Sequence, residues 1–206
     1  MRDVKYLLNS HAHYDHCGGL AQLKRASSAL MAASSADAET LTTSHQLSYG
    51  PGQSGARFPA VRVDRIVGDR DVIALGGVSL TAHLTPGHTK GCTTWSMPVS
   101  ENGRIYKVVF YCSTTVAGNQ LVNNSKYPDI VSDNEHSFRI ARSMHADVFL
   151  APHPEFFNMQ QKIKARRSKG ENPFVDPTAL PRFVQQSESD FREELKHQLS
   201  FVPTAP

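Results

Sequence analysis

The chain has 206 residues, of which 39% are hydrophobic and 20% charged, with a formal net charge of +3. That balance describes a globular domain with a substantial core, excludes a disordered chain, and leaves little room for two domains. No stretch approaches the about 20 apolar residues of a membrane helix, and the one dense basic run, Lys162 to Lys169, reads as the solvated face of a helix rather than a nucleic-acid surface.

In chain order, the opening "MRDVKYLLNS" lacks the long apolar run and small-residue cleavage site of a signal peptide. Its apolar part reads as a buried strand that runs into "SHAHYDHCGG", residues 10–19. Two glycines then permit a tight turn into a helix carrying Leu20 and Leu23 on one face. "ALMAAS" has strand length, and "SADAETLTT" reads as a helix start with Ser35 as N-cap and Asp37 and Glu39 in the first turn. From Ser44 to Pro59, glycine, proline and serine dominate, which predicts a loop long enough to border a binding site.

The pattern then turns to β. "VDRIVG", "DVIALGG", "VSLTAHLT", "CTTWSMPV" and "IYKVVFYCS" are strand candidates, with hairpin turns at Gly76-Gly77 and Asn102-Gly103. "DIVSDNEHSFRIARSMH" predicts a helix with Ile130, Phe138 and Ile140 inward, and "ADVFLAPH" a buried strand ending in a histidine. A C-terminal helix has Val184, Phe191, Leu195 and Leu199 on its inner face. Strands interleaved with helices make this an α/β chain with a mixed sheet, and no internal repeat or linker divides it. The cysteines, Cys17, Cys92 and Cys112, are odd in number and lack a C-x-x-C spacing. Buried free thiols are the default, and although one bridge is allowed, no pair is singled out.

"HAHYDH" packs His11, His13, Asp15 and His16 into six residues. Histidine and carboxylate suit a catalytic zinc. His11 and His13 are two apart at a strand end, a spacing that sends both side chains the same way. Asp15 and His16 follow where a loop can offer a second set of ligands to an adjacent ion. Burying four such groups without a metal is costly. His88, in "LTPGHTKG", and His153, in "FLAPHP", also sit at strand ends beside prolines, the setting of a site residue. His45, His83, His136, His145 and His197 have no ligand-like context and read as ordinary structural or surface histidines.

These motifs resemble the metallo-β-lactamase superfamily. The segments "NSHAHYDHCGGLAQLK", "LTAHLTPGHTKGCTTWSM", "VVFYCSTTVAGNQLVNNSKYPDI" and "DVFLAPHPEFF", with "NPFVDP", are similar to class B β-lactamases of the third subclass, over nearly the whole chain. The resemblance implies an αββα four-layer sandwich with mixed sheets, two zinc ions, and hydrolysis of the β-lactam amide bond of antibiotics by a zinc-bound hydroxide. It assigns His11, His13 and His88 to the first zinc, and Asp15, His16 and His153 to the second, with Asp15 also orienting the nucleophile. Where other subclasses place a cysteine ligand, the third has a serine, here Ser113, so that Cys112 is not a ligand. Ser113 and Thr115 then become candidates for holding the substrate carboxylate. The implied partner is a small-molecule β-lactam, with neither nucleic acid nor membrane, and the implied location is periplasmic or secreted.

Relatives of this kind carry a sizeable N-terminal section before the motif, which here begins at residue 11. Residues 1–206 are therefore expected to form a single, N-terminally truncated domain, lacking the N-terminal strands of the first sheet and exposing an edge there. Such a chain is expected to be poorly soluble or weakly active by itself. Two other readings stay open. One is another hydrolase of the same fold, of thioesterase, lactonase or nuclease type, although those relatives commonly carry a bridging aspartate in the segment matching "FYCSTT", where this chain has none. The other is an inactive zinc-binding remnant.

Overall fold

In the computed structural model, which describes residues 1–44, 49–50, 55–166 and 172–201, the apolar runs of the sequence become two sheets. Tyr6–Leu8 (β1), Leu30–Ala33 (β2) and Arg65–Ile66 (β3) pair in parallel in that order. Parallel neighbours need crossovers. Tyr14–Cys17 (α1) and Leu20–Ser27 (α2) supply the first, and Ser35–Thr43 (α3) the second.

Val72–Leu75 (β4), Val78–Leu84 (β5), Thr93–Glu101 (β6), Arg104–Phe110 (β7) and Val148–Leu150 (β8) form the other sheet in chain order. The first four are antiparallel neighbours, whereas β8 joins β7 in parallel after the helix Ile130–Ser143 (α4). Met159–Arg166 (α5) and Ala179–Leu199 (α6) follow. Both hairpin turns fall where the sequence places them. Gly76 and Gly77 have φ of 59° and 82°, and Asn102 and Gly103 have 51° and 79°, the doubly left-handed geometry that matches the twist of paired strands.

Strand alternation separates the layers. Met31 and Ala33 face a core of small side chains with Cys17, Leu20, Ala21 and Leu41 of the first three helices. Ala32, between them in sequence, faces the other way, into an inter-sheet layer with Ile73, Ala82 and Trp95. Beyond the second sheet, Val109, Tyr111 and Phe149 pack on Phe138 of α4 and Phe191 of α6. The order is helices, sheet, sheet, helices, the α/β sandwich expected. The three described strands of the first sheet are all parallel, and the second sheet is mixed.

Several expectations need correction. Cys92 and Cys112 are not free thiols but a disulfide, and Cys17 is the free buried cysteine among the described residues. The ladder that pairs Trp95 with Phe110 brings the residues beyond both strand ends together, with Cα atoms 5.9 Å apart. The cap of α3 is Ser34, whose side chain accepts from the backbone N–H of Asp37, not Ser35. Leu23 and Leu199 follow the helical period but are 40% and 52% exposed among the described residues. Ile140 is only half-buried.

The 3₁₀ turn Pro154–Phe157 has no counterpart in the expected elements, whereas α5 carries the start of the basic run read as a helix face. It buries none of its side chains, and residues 167–169 lie outside the described residues. So do His45 and residues 46–48 and 51–54 of the loop expected from Ser44 to Pro59. Within that loop, Tyr49 packs in the aromatic core and Phe58 in the small-residue core. Among the described residues no helix is long and apolar enough to cross a membrane.

Candidate metal centre

Past the end of β1, Asn9 and Ser10 tie the chain to the start of β6. The Trp95 indole N–H donates to the Asn9 carbonyl at 3.0 Å, and Thr93 N–H donates to the Ser10 carbonyl at 2.7 Å. The next residues, His11 to His16, run into the single turn of α1, which presents Asp15 and His16. His88 comes from the β5–β6 connection. Gly87 before it has φ of 130°, and a Cβ there would lie 2.6 Å from the Asn134 side chain of α4, so only glycine lets this loop close. His153 follows β8 and leads directly into the Pro154–Phe157 turn.

These segments bring together all six residues that the sequence singles out. The ligand atoms of His11, His13 and His88 lie within 4.8 Å of one another, as do those of Asp15, His16 and His153. In the first group, His11 Nε2 is 3.1 Å from His13 Nδ1 and 3.2 Å from His88 Nε2. In the second, Asp15 Oδ2 is 3.2 Å from His16 Nε2 and 3.5 Å from His153 Nε2. The rings of His11 and His16, 4.4 Å apart between centroids, join the two groups into one site.

The protonation chemistry suits a cation. Burial, reinforced by mutual repulsion among the rings, holds His11 well below the usual histidine range, His13 at about 3 and His88 at about 4, and burial also lowers His16. At neutral pH these rings are uncharged, with lone pairs to share. For His88 the tautomer follows from its partner. Nδ1 lies 2.8 Å from the Thr115 carbonyl, which only accepts, so Nδ1 carries the proton and the bare Nε2 points into the group.

His16 Nε2 is buried with no hydrogen-bond partner, since its approach to Asp15 lacks hydrogen-bond geometry. A buried orphan of this kind is costly unless something else fills the role. Converging bare nitrogens, a carboxylate and an orphaned ring nitrogen fit a metal site.

Ser113 is 3% exposed, and its hydroxyl is 3.0 Å from that of Thr115. Thr115 is half-buried, and its carbonyl orients His88, a task its sequence context does not announce. The remaining described histidines have other partners. His83 bonds Ser96 at 2.8 Å, His145 lies 3.3 Å from Asp147, His197 lies 3.7 Å from Glu194, and His136 lies 3.5 Å from Arg139.

Asp37, which reads in sequence as a helix-start acid, also belongs to this neighbourhood. It is 3% exposed, accepts from the Asn9 amide at 2.8 Å and from the backbone N–H of Ala12, and burial pushes its carboxyl up to about 7. The Cys92–Cys112 disulfide, a pair the sequence does not single out, lies here too. Cys112 Sγ lies 3.6 Å from His11 Nδ1, behind the first group.

Residues 2–153 match the profile of the Metallo-beta-lactamase superfamily. Among solved structures the chain is similar to BJP-1, a subclass B3 metallo-beta-lactamase of Bradyrhizobium japonicum, at 40% identity and a TM-score of 0.89, over 97% of this chain and 75% of that one. It is also similar to the FEZ-1 metallo-beta-lactamase of Legionella gormanii, at 38% identity and a TM-score of 0.90, over 96% and 76% of the two chains. A hydroxyacylglutathione hydrolase of Rhodospirillum rubrum is 32% identical over 88 residues, 43% of this chain and 27% of that protein. The matches span between a quarter and a third of the curated relatives, from 25% to 33% of their length.

Proposed function

The chain belongs to the metallo-beta-lactamase superfamily and has its α/β fold, and from that premise we propose that it is a zinc-dependent β-lactamase that opens the β-lactam amide bond of antibiotics. The observation that carries this reading is the pairing of two contiguous donor groups with a chain-wide likeness to subclass B3 enzymes. His11, His13 and His88 would hold one zinc, and Asp15, His16 and His153 a second. Zinc there would supply Lewis acidity, which lowers the pKa of bound water from about 16 to about 7 and polarises a carbonyl oxygen.

The chain's own residues do the rest. Burial keeps the three histidines of the first group neutral, and the Thr115 carbonyl fixes the orientation of His88. The side chain of Asp15 is 55% exposed, so its carboxylate reaches the solvent-facing side of the site. There it accepts a hydrogen bond from the attacking water and aims the oxygen lone pair at the carbonyl carbon. Water adds to that carbon, the C–N bond breaks, and the nitrogen leaves carrying a proton. No nucleophilic side chain is required. The hydroxyls of Ser113 and Thr115 are the candidates for holding the substrate carboxylate. The Cys92–Cys112 disulfide supports action in an oxidising compartment, periplasmic or extracellular.

The likeness to hydroxyacylglutathione hydrolase supports a second reading, a thioester hydrolase of the same fold. Against it, Tyr111 to Thr115 contains no carboxylate. The test measures zinc content, then hydrolysis of a chromogenic cephalosporin and of a glutathione thioester, each with and without a chelator. The β-lactamase reading expects chelator-sensitive cephalosporin turnover. Thioester turnover alone would move the assignment to the second reading, and bound zinc with neither turnover would mark a binding remnant.

A further inference from the structure

Asp37 stands in the first turn of α3, where a carboxylate ordinarily faces water and the helix N-terminus. Here it is buried beneath the metal centre. It accepts from the Asn9 amide at 2.8 Å and from the N–H of Ala12, the residue between His11 and His13. On its other side lies Gly91, in the loop that carries His88. A Cβ on Gly91 would sit 1.9 Å from Asp37 Oδ1 and 2.3 Å from Cγ, so that loop rests directly on the carboxylate and only glycine permits it.

Ser34 reinforces the arrangement. Its hydroxyl donates to the Gly91 carbonyl at 2.8 Å, while its oxygen caps the helix through Asp37 N–H at 3.3 Å. The start of one helix thus holds both loops that supply the first donor group. Burying a carboxylate is an expensive way to gain stability alone. Its evident return is geometry, since it fixes two segments that the sheets leave separate.

We propose that Asp37 is a positioning residue for the metal centre, locking the loop of His11 and His13 against the loop of His88 so that their nitrogens converge. The proposal rests on the metal-site reading above. Asp37 touches none of the ligand rings itself, and it acts through Asn9, Ala12 and Gly91.

The test uses the full chain, stripped of metal and shown to be folded by circular dichroism. Zinc affinity is measured by competition with a chromophoric chelator, and ligand geometry by the visible spectrum of bound cobalt(II). Asp37→Ala is expected to lower zinc affinity by about 10–100-fold, the usual cost of removing a partner behind the ligands, and to alter the cobalt spectrum. Asp37→Asn keeps the size and one acceptor, and is expected to lose less. Gly91→Ala displaces the carboxylate from the other loop and is expected to resemble Asp37→Ala.

Wild-type affinity and spectrum in folded Asp37→Ala would overturn the proposal. If that variant does not fold, Asp37→Asn decides, and wild-type affinity there overturns it equally. Failure of the unaltered chain to take up zinc would instead sink the metal-site reading, and this proposal with it.

Discussion

The two donor groups of the candidate metal centre lie side by side, yet the fold treats them differently. His11 and His88 are 1% and 6% exposed. Each has its outer nitrogen occupied, His88 by the Thr115 carbonyl and His11 by Ser10 and Cys112. In the other group the His16 side chain is 13% exposed, whereas those of Asp15 and His153 are 55% and 39% exposed. Two of the three histidines of the first group are set in place by their surroundings. The second group is half a surface feature, with two of its three side chains open to solvent. Preorganisation of this kind sets affinity, so the two groups should part company under perturbation.

His88→Ala tests this hardest. It removes a buried donor from the preorganised group, and zinc content is expected to fall by one ion per chain. Turnover should drop by about 10²–10³-fold, the scale of several kcal/mol of transition-state stabilisation. A variant that keeps its full zinc content and rate would end the comparison.

Acid comes next. The folded pKa values of His13 and His88, about 3 and about 4, lie below the ordinary 6.5. Below pH 6.5 the unfolded chain therefore binds protons that the folded chain refuses, and stability is lost as pH falls. Each such group contributes up to about 1.4 kcal/mol per pH unit where it titrates. Asp37, raised to about 7 from 3.8, works in the opposite direction over the intervening range. One carboxyl does not offset several histidines. The metal-free chain is expected to show a lower urea midpoint at pH 5 than at pH 7, and an equal or higher midpoint would contradict that.

Replacing both Cys92 and Cys112 by serine opens a loop with a sequence separation of 20 and should cost about 3 kcal/mol of stability in denaturant titration. Because Cys112 stands behind His11, zinc affinity should weaken in the first group and not in the second. Equal weakening of both would show that the contrast in burial is not what governs affinity.

His153→Ala is expected to be milder. The more exposed group loses its ion, the first group keeps its own, and turnover falls about tenfold, or about 1.4 kcal/mol. Smallest of all, His83→Ala and His145→Ala should leave zinc content unchanged, since both side chains have partners outside the centre.

Much of this was legible in the chain itself. The two-residue spacing of His11 and His13 at a strand end carried the convergence later seen at 3.1 Å. Glycine pairs marked both hairpins because left-handed backbone favours such residues. The strand and helix periods located most elements within a few residues. The misses share a different origin. Asp37 reads locally as a helix-start acid, and its burial comes from the Gly91 loop, which lies far along the chain. The disulfide depended on the register between β6 and β7. Leu199 continued the helical period but is 52% exposed among the described residues.

The sequence by itself determined which donor types cluster at the candidate centre, because residue type and spacing are properties of neighbours along the chain. It also determined the alternation that sorts side chains between layers. Only the tertiary structure decided which distant segments meet. It set His88 against His11, His153 against Asp15, Cys92 against Cys112, and Asp37 beneath both loops of the first group. Those pairings follow from how two sheets close on each other, and no local pattern encodes that closure.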